Sequence, residues 1–65
     1  MNEIQQEMID RATIMIKEGD RLWIEVAHEF KVRGCMTDEM AEKQKKSRQL
    51  IGEALRLYDE ASKLN

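Results

Sequence analysis

The sequence has no proline, one cysteine, one histidine, and one each of Trp, Phe and Tyr. With Cys35 alone, no disulfide can form within the chain. With Cys35 and His28 as the only thiol and imidazole, no Cys/His zinc site can be built inside one copy. Long apolar runs are missing as well. A typical stretch is Thr13-Ile14-Met15-Ile16, far short of a membrane span. Neither sign of charge dominates: the formal net charge is −2, which demands neither nucleic acid nor an anionic membrane as partner. The first residues, Met1 to Glu7, lack the basic start and apolar stretch of a secretory signal. Together with a lone unpaired thiol, suited to a reducing compartment, this gives a cytoplasmic protein as the expectation, with no membrane partner.

These absences bear on stability. Sixty-five residues make one domain at most, and such a chain buries only about 60% of its unfolded surface. Small scaffolds compensate with disulfides, a metal or a partner chain. The first two are excluded, which leaves tight helix packing or oligomerisation.

What remains is a helix-forming mixture, 42% hydrophobic and 37% charged, too apolar for a disordered chain. Its commonest residue types are good helix formers. From the N-terminus, apolar positions recur at helical spacing: Ile4, Met8, Ile9, Ala12, Met15, Ile16, Gly19, Leu22, Trp23, Val26, Ala27 and Phe30. They fall in one arc roughly 140° wide. Ile14, Ile24 and Val32 lie outside it. A glycine at 19 followed by Asp20 is a legitimate stop-and-start signal. The phase is nonetheless preserved across Gly19, which favours one helix over about 2–32.

A turn follows at about 33–37. Gly34 comes after Lys31 and Arg33, cations suited to a helix C-terminus, and can close the helix in the left-handed conformation. Thr37 is a good N-cap, with Asp38 and Glu39 behind it. A second helix is expected over about 38–63, its apolar arc formed by Met36, Met40, Leu50, Ile51, Ala54, Leu55, Leu57, Tyr58, Ala61 and Leu64. The arc is interrupted from Glu42 to Gln49, where Gln44 and Ser47 occupy its line. Such a polar stretch implies either access to water or a binding surface.

Two helices and a short turn give an all-α, antiparallel two-helix hairpin. Each stripe is broader than the seam of a two-stranded coiled coil, so one hairpin cannot cover both. Pairing two hairpins into a four-helix bundle would. A homodimer is therefore expected, or a hairpin docked on a larger helical partner.

The residues offer little chemistry. Glu25-Val26-Ala27-His28 has the Glu-x-x-His spacing of carboxylate-bridged di-iron bundles, but Glu25 and His28 lie far from the stripe centre, so no metal is expected. Cys35 has no base within reach to activate it. Ser47 lacks triad partners, and no Gly-rich loop could cradle a phosphate. The expectation is a non-enzyme without cofactor or small-molecule substrate. Lys43, Lys45, Lys46 and Arg48 form the one local charge excess. They could contact phosphates, but successive residues spread them around the helix. Met1, Met8, Met15, Met36 and Met40 are many methionines for so short a chain, and Met is adaptable both in cores and on promiscuous binding faces.

The general plan is similar in architecture, without a shared residue pattern, to the Rop-type RNA-pairing regulators of plasmids. The second half, from Gly34 through Ser47-Arg48-Gln49-Leu50 to Leu57-Tyr58, distantly resembles the small hairpin aspartyl-phosphate phosphatases, whose motif is Ser-Gln-Glu-Leu-Asp. Arg48 and Gln49 stand where that motif has Gln-Glu, Ile51 stands where it has the acid, and the spacing from the turn is longer. No functional residue is carried over from either family.

The sequence thus points to a small regulatory or adaptor protein of the phage, plasmid or bacterial kind, binding another protein through a helix face. The expected interface residues are Met8, Met15, Leu22, Trp23, Val26, Phe30, Met40, Leu50, Leu55 and Tyr58. The alternative is a dimeric nucleic-acid-binding regulator using Lys43, Lys45, Lys46 and Arg48.

Overall fold

Asn2 opens the first helix by a reciprocal cap. Its side-chain oxygen accepts from the Gln5 backbone N–H at 2.7 Å, while the Gln5 side chain accepts from the Asn2 N–H at 3.1 Å. Such a box satisfies two of the donors that a helix start leaves open. In the computed structural model, which describes residues 2–64, α1 then runs unbroken over Glu3–Arg33. Gly19 lies inside it with no break, as the preserved apolar phase implies. Gly34 ends α1 at φ 76°, with its N–H donating to the Phe30 carbonyl at 2.7 Å. It is the one residue of positive φ among those described. Thr37 caps α2 (Asp38–Ser62) by accepting from the Met40 N–H at 3.2 Å, and the Thr37 N–H points at the Met40 sulfur.

The two helices pack side by side along their length as an all-α hairpin with no strand among the described residues. The Cα rod measures 48 × 13 × 12 Å. Neither helix is long and apolar enough to cross a membrane.

The helices meet along a spine of mostly small residues. On α1 the buried positions Ala12, Gly19 and Val26 recur every seven residues, as do Met40, Ser47, Ala54 and Ala61 on α2. One contact fixes their alignment: the Ser47 hydroxyl donates to the Gly19 carbonyl at 2.6 Å. In an antiparallel pair this register sets Val26 opposite Met40, Ala12 opposite Ala54, and Gln5 opposite Ala61. The last pairing is seen directly, since Gln5 Nε2 donates to the Ala61 carbonyl at 2.9 Å and also to that of Leu64.

Ser47 thereby explains the middle of the polar stretch. It occupies the spine because a small side chain is needed there, and its hydroxyl is satisfied by the facing helix. A Cβ added to Gly19 would lie 2.7 Å from Ile51 Cγ1 and 3.2 Å from the Ser47 carbonyl oxygen. Gly19 is therefore the point of close approach, and its lack of a side chain brings the two backbones together. Small residues at the spine leave a thin core. Of the large apolar side chains among the described residues, only Leu22, Val26 and Met40 are buried, each contributing about 1.5–3 kcal/mol.

Candidate functional site

The spine divides the rod into two long sides, and the helical period assigns residues to each. On one side lie Met8, Met15 and Leu22 from α1 with Lys43, Leu50 and Leu57 from α2. Here the flanking rows are charged: Arg11, Glu18 and Glu25 on α1, and Glu39, Lys46, Glu53 and Glu60 on α2. Arg11, Glu53 and Arg56 line a depression with Met15 and Leu57, so long charged side chains lie over the half-buried apolar ones. Lys43 Nζ reaches Glu29 at 3.7 Å across the helices.

The other side is apolar, and its borders are mixed: Thr13, Asp20 and Ala27 on α1, and Arg48, Leu55 and Ser62 on α2. It is ordered in four levels, three set by the register, Ile9 beside Tyr58, Ile16 beside Ile51 and Trp23 beside Gln44, and one at the turn, where Phe30 and Met36 line the same groove. At the first level the Tyr58 hydroxyl is hydrogen-bonded to Thr13 Oγ1 at 2.9 Å. At the turn end, Trp23, Val26, Ala27, Phe30, Met36 and Gln44 line an open groove of about 330 Å³. Trp23 and Phe30 remain 47% and 46% exposed, and Leu55, at the edge of this side, 58%. This aromatic side is the candidate interaction site.

The expected interface residues divide accordingly. Trp23, Phe30, Leu55 and Tyr58 fall on the aromatic side, and Met8, Met15 and Leu50, half-buried, on the charge-flanked side. Leu22, Val26 and Met40 belong to the hairpin itself. They are buried against its other helix, because they stand at or next to the spine; Val26 and Leu22 only floor the grooves above them. Ile4 and Ala27, placed on the α1 arc by periodicity, are exposed. The arc is wider than the strip α2 can cover. Ile16, Ile51 and Met36 belong to the aromatic side and were absent from the expected set. For Ile16 the signal was the seven-residue repeat Ile9, Ile16, Trp23, Phe30 on α1, which the broad arc concealed; Ile51 and Met36 had no such repeat to mark them.

The polar candidates are placed as follows. His28 is exposed, and Glu25 is engaged by Arg21 at 3.1 Å on the outer surface of α1. Arg21 also pairs with Glu18. Its hydrogen bond holds the Glu18 carboxyl below the ordinary carboxylate range and raises Arg21 in turn. Cys35 is an exposed free thiol in the turn. Among the described residues no cluster of three His, Cys, Asp or Glu side chains is placed to hold a metal ion. Lys43, Lys45 and Lys46 line one shallow groove together with Leu22, Glu42 and Gln49. Glu42 stands among these lysines and Glu29 pairs with Lys43. Arg48 lies outside that groove and lines another depression with Lys46, Arg56 and Glu53, so the four cations are spread over two depressions, each holding a carboxylate. Met1 lies outside the described residues. The chain matches no protein family, no curated protein and no solved structure.

Proposed function

We propose that this chain is a non-enzymatic regulatory or adaptor protein that works as a homodimer. Two hairpins pack through their aromatic sides into a four-helix bundle, and the bundle binds another protein and alters its activity. The observation that carries this reading is the uncovered run of Trp23, Phe30, Met36 and Leu55 along one side of a rod whose own core is thin. Trp is a common anchor of protein interfaces, and contiguous apolar surface on a small protein marks a contact site. Charged rows border the opposite side and leave the aromatic one as the surface that gains most from burial. Ile14 and Ile24, exposed on the back of α1, stay accessible in such a bundle and supply apolar contacts for the regulated protein.

Light scattering on the eluting peak of a sizing column tests the assembly. The expected mass is near twice the 7.7 kDa of the chain, falling to the single-chain mass in Trp23→Asp with helical circular dichroism retained. A wild-type chain that is folded and monomeric at micromolar concentration would overturn the reading.

A further inference from the structure

We infer that the second copy sits on the aromatic side about a two-fold axis running along the rod, so that both turns lie at the same end of the bundle. This rests on the homodimer proposed above and adds its geometry. Two identical rods can meet face to face about an axis along their length or across it. In the first arrangement each level of the aromatic side meets the same level of the other copy, and α1 lies over the partner's α2. In the second the order of levels is reversed, and each helix lies antiparallel over its own copy.

Polar groups on this side distinguish the two. Asp20 and Arg48 flank it near the middle of the rod, next to Gly19 and Ser47. Both are exposed, and neither has an ion-pair partner among the described residues. An axis along the rod brings Asp20 of each copy to Arg48 of the other, twice over. An axis across the middle brings Asp20 to Asp20 and Arg48 to Arg48, which is repulsive. The Trp23 indole N–H and the Gln44 amide likewise have no hydrogen-bond partner among the described residues. The lengthwise axis sets Trp23 of one copy level with Gln44 of the other, where an amide oxygen can accept. The crosswise axis sets Trp23 against the Ile16 level, which offers no acceptor side chain. The surface is also large enough. A face with the 48 by 13 Å dimensions of the Cα rod gives on the order of 600 Å² per copy and about 1,200 Å² for the two, above the roughly 1,000 Å² in total expected of a specific interface.

Cys35, the one thiol and exposed in the turn, reports the axis directly. A nitroxide on Cys35 of the full chain, measured by dipolar electron paramagnetic resonance alongside light scattering, gives the label separation. The expected result is a dimer with labels within roughly 20–30 Å, about the width of a bundle. A dimer with labels near the 48 Å length of the rod overturns the lengthwise axis and leaves the homodimer standing. A monomeric mass overturns both and leaves the aromatic side to a different chain. Charge reversal supplies a second measurement. Asp20→Arg and Arg48→Asp should each weaken dimerisation by on the order of tenfold, and the double variant should regain most of the loss. Single variants without effect, or a double variant no tighter than either single, count against the axis.

Discussion

Gly19 is the residue on which the close approach of the helices depends. In an exposed helix interior, replacing Gly by Ala gains about 1 kcal/mol. Here the added methyl would meet Ile51 Cγ1 at 2.7 Å and a backbone oxygen at 3.2 Å. Ile51 can shift, but the Ser47 carbonyl belongs to α2 and moves only with it. Overpacking of this kind costs about 1–3 kcal/mol, so steric strain outweighs propensity. Gly19→Ala should lower the midpoint of urea unfolding followed by circular dichroism, and adding Ile51→Ala should not restore it fully. An unchanged or raised midpoint would show that the spine has room to spare.

At the scale of elements, the ends of the helices carry their own conditions. Gly34 sits at φ 76°, and a Cβ added there would meet nothing within 4 Å beyond its chain neighbours, so Gly34→Ala meets only the backbone penalty of about 1–2 kcal/mol. Thr37→Ala removes the cap of α2, at about 1 kcal/mol. The two changes belong to opposite ends of one turn and should lower thermal stability by similar amounts, with helical content at low temperature retained. A loss from Thr37→Ala alone would mean that the left-handed cap is not what closes α1. These ends were legible in the sequence because capping is local: Gly34, Thr37 and the flanking charges lie within a few residues of one another. The continuity of α1 was legible for the same reason, in the phase of its apolar positions. The spine was not. Which part of a broad arc faces the other helix depends on the register between distant segments, and that is set by Gly19 and Ser47, a glycine and a serine that a search for apolar residues passes over. Leu22, Val26 and Met40 were accordingly assigned to an interface with another chain, and Ile16, Ile51 and Met36, though on the arcs, were left out of it.

For the whole molecule, shape carries the argument. The Cα radius of gyration is 14.8 Å, against about 11 Å for a compact chain of this length. The accessible surface is 5116 Å², where a compact monomer of this mass exposes about 4,300 Å². Covering one long side returns much of that excess. If the hairpin gains stability from its partner, association and folding are linked by mass action. The thermal midpoint should then rise with protein concentration over a hundredfold range, and Trp23→Asp should abolish the dependence. A midpoint independent of concentration would assign all the stability to the single hairpin.

Two smooth cylinders laid side by side can slip lengthwise, and a seven-residue repeat of small residues would allow the slip to stop at more than one place. The notch at Gly19, with Ile51 seated against it, and the hydroxyl of Ser47 anchored on the facing carbonyl act as a detent. Displaced by one repeat, α2 would drive a full side chain into the gap or strand a hydroxyl among methyl groups. The hairpin is thereby held to a single setting, and whatever docks along its flank meets the same sequence of knobs each time.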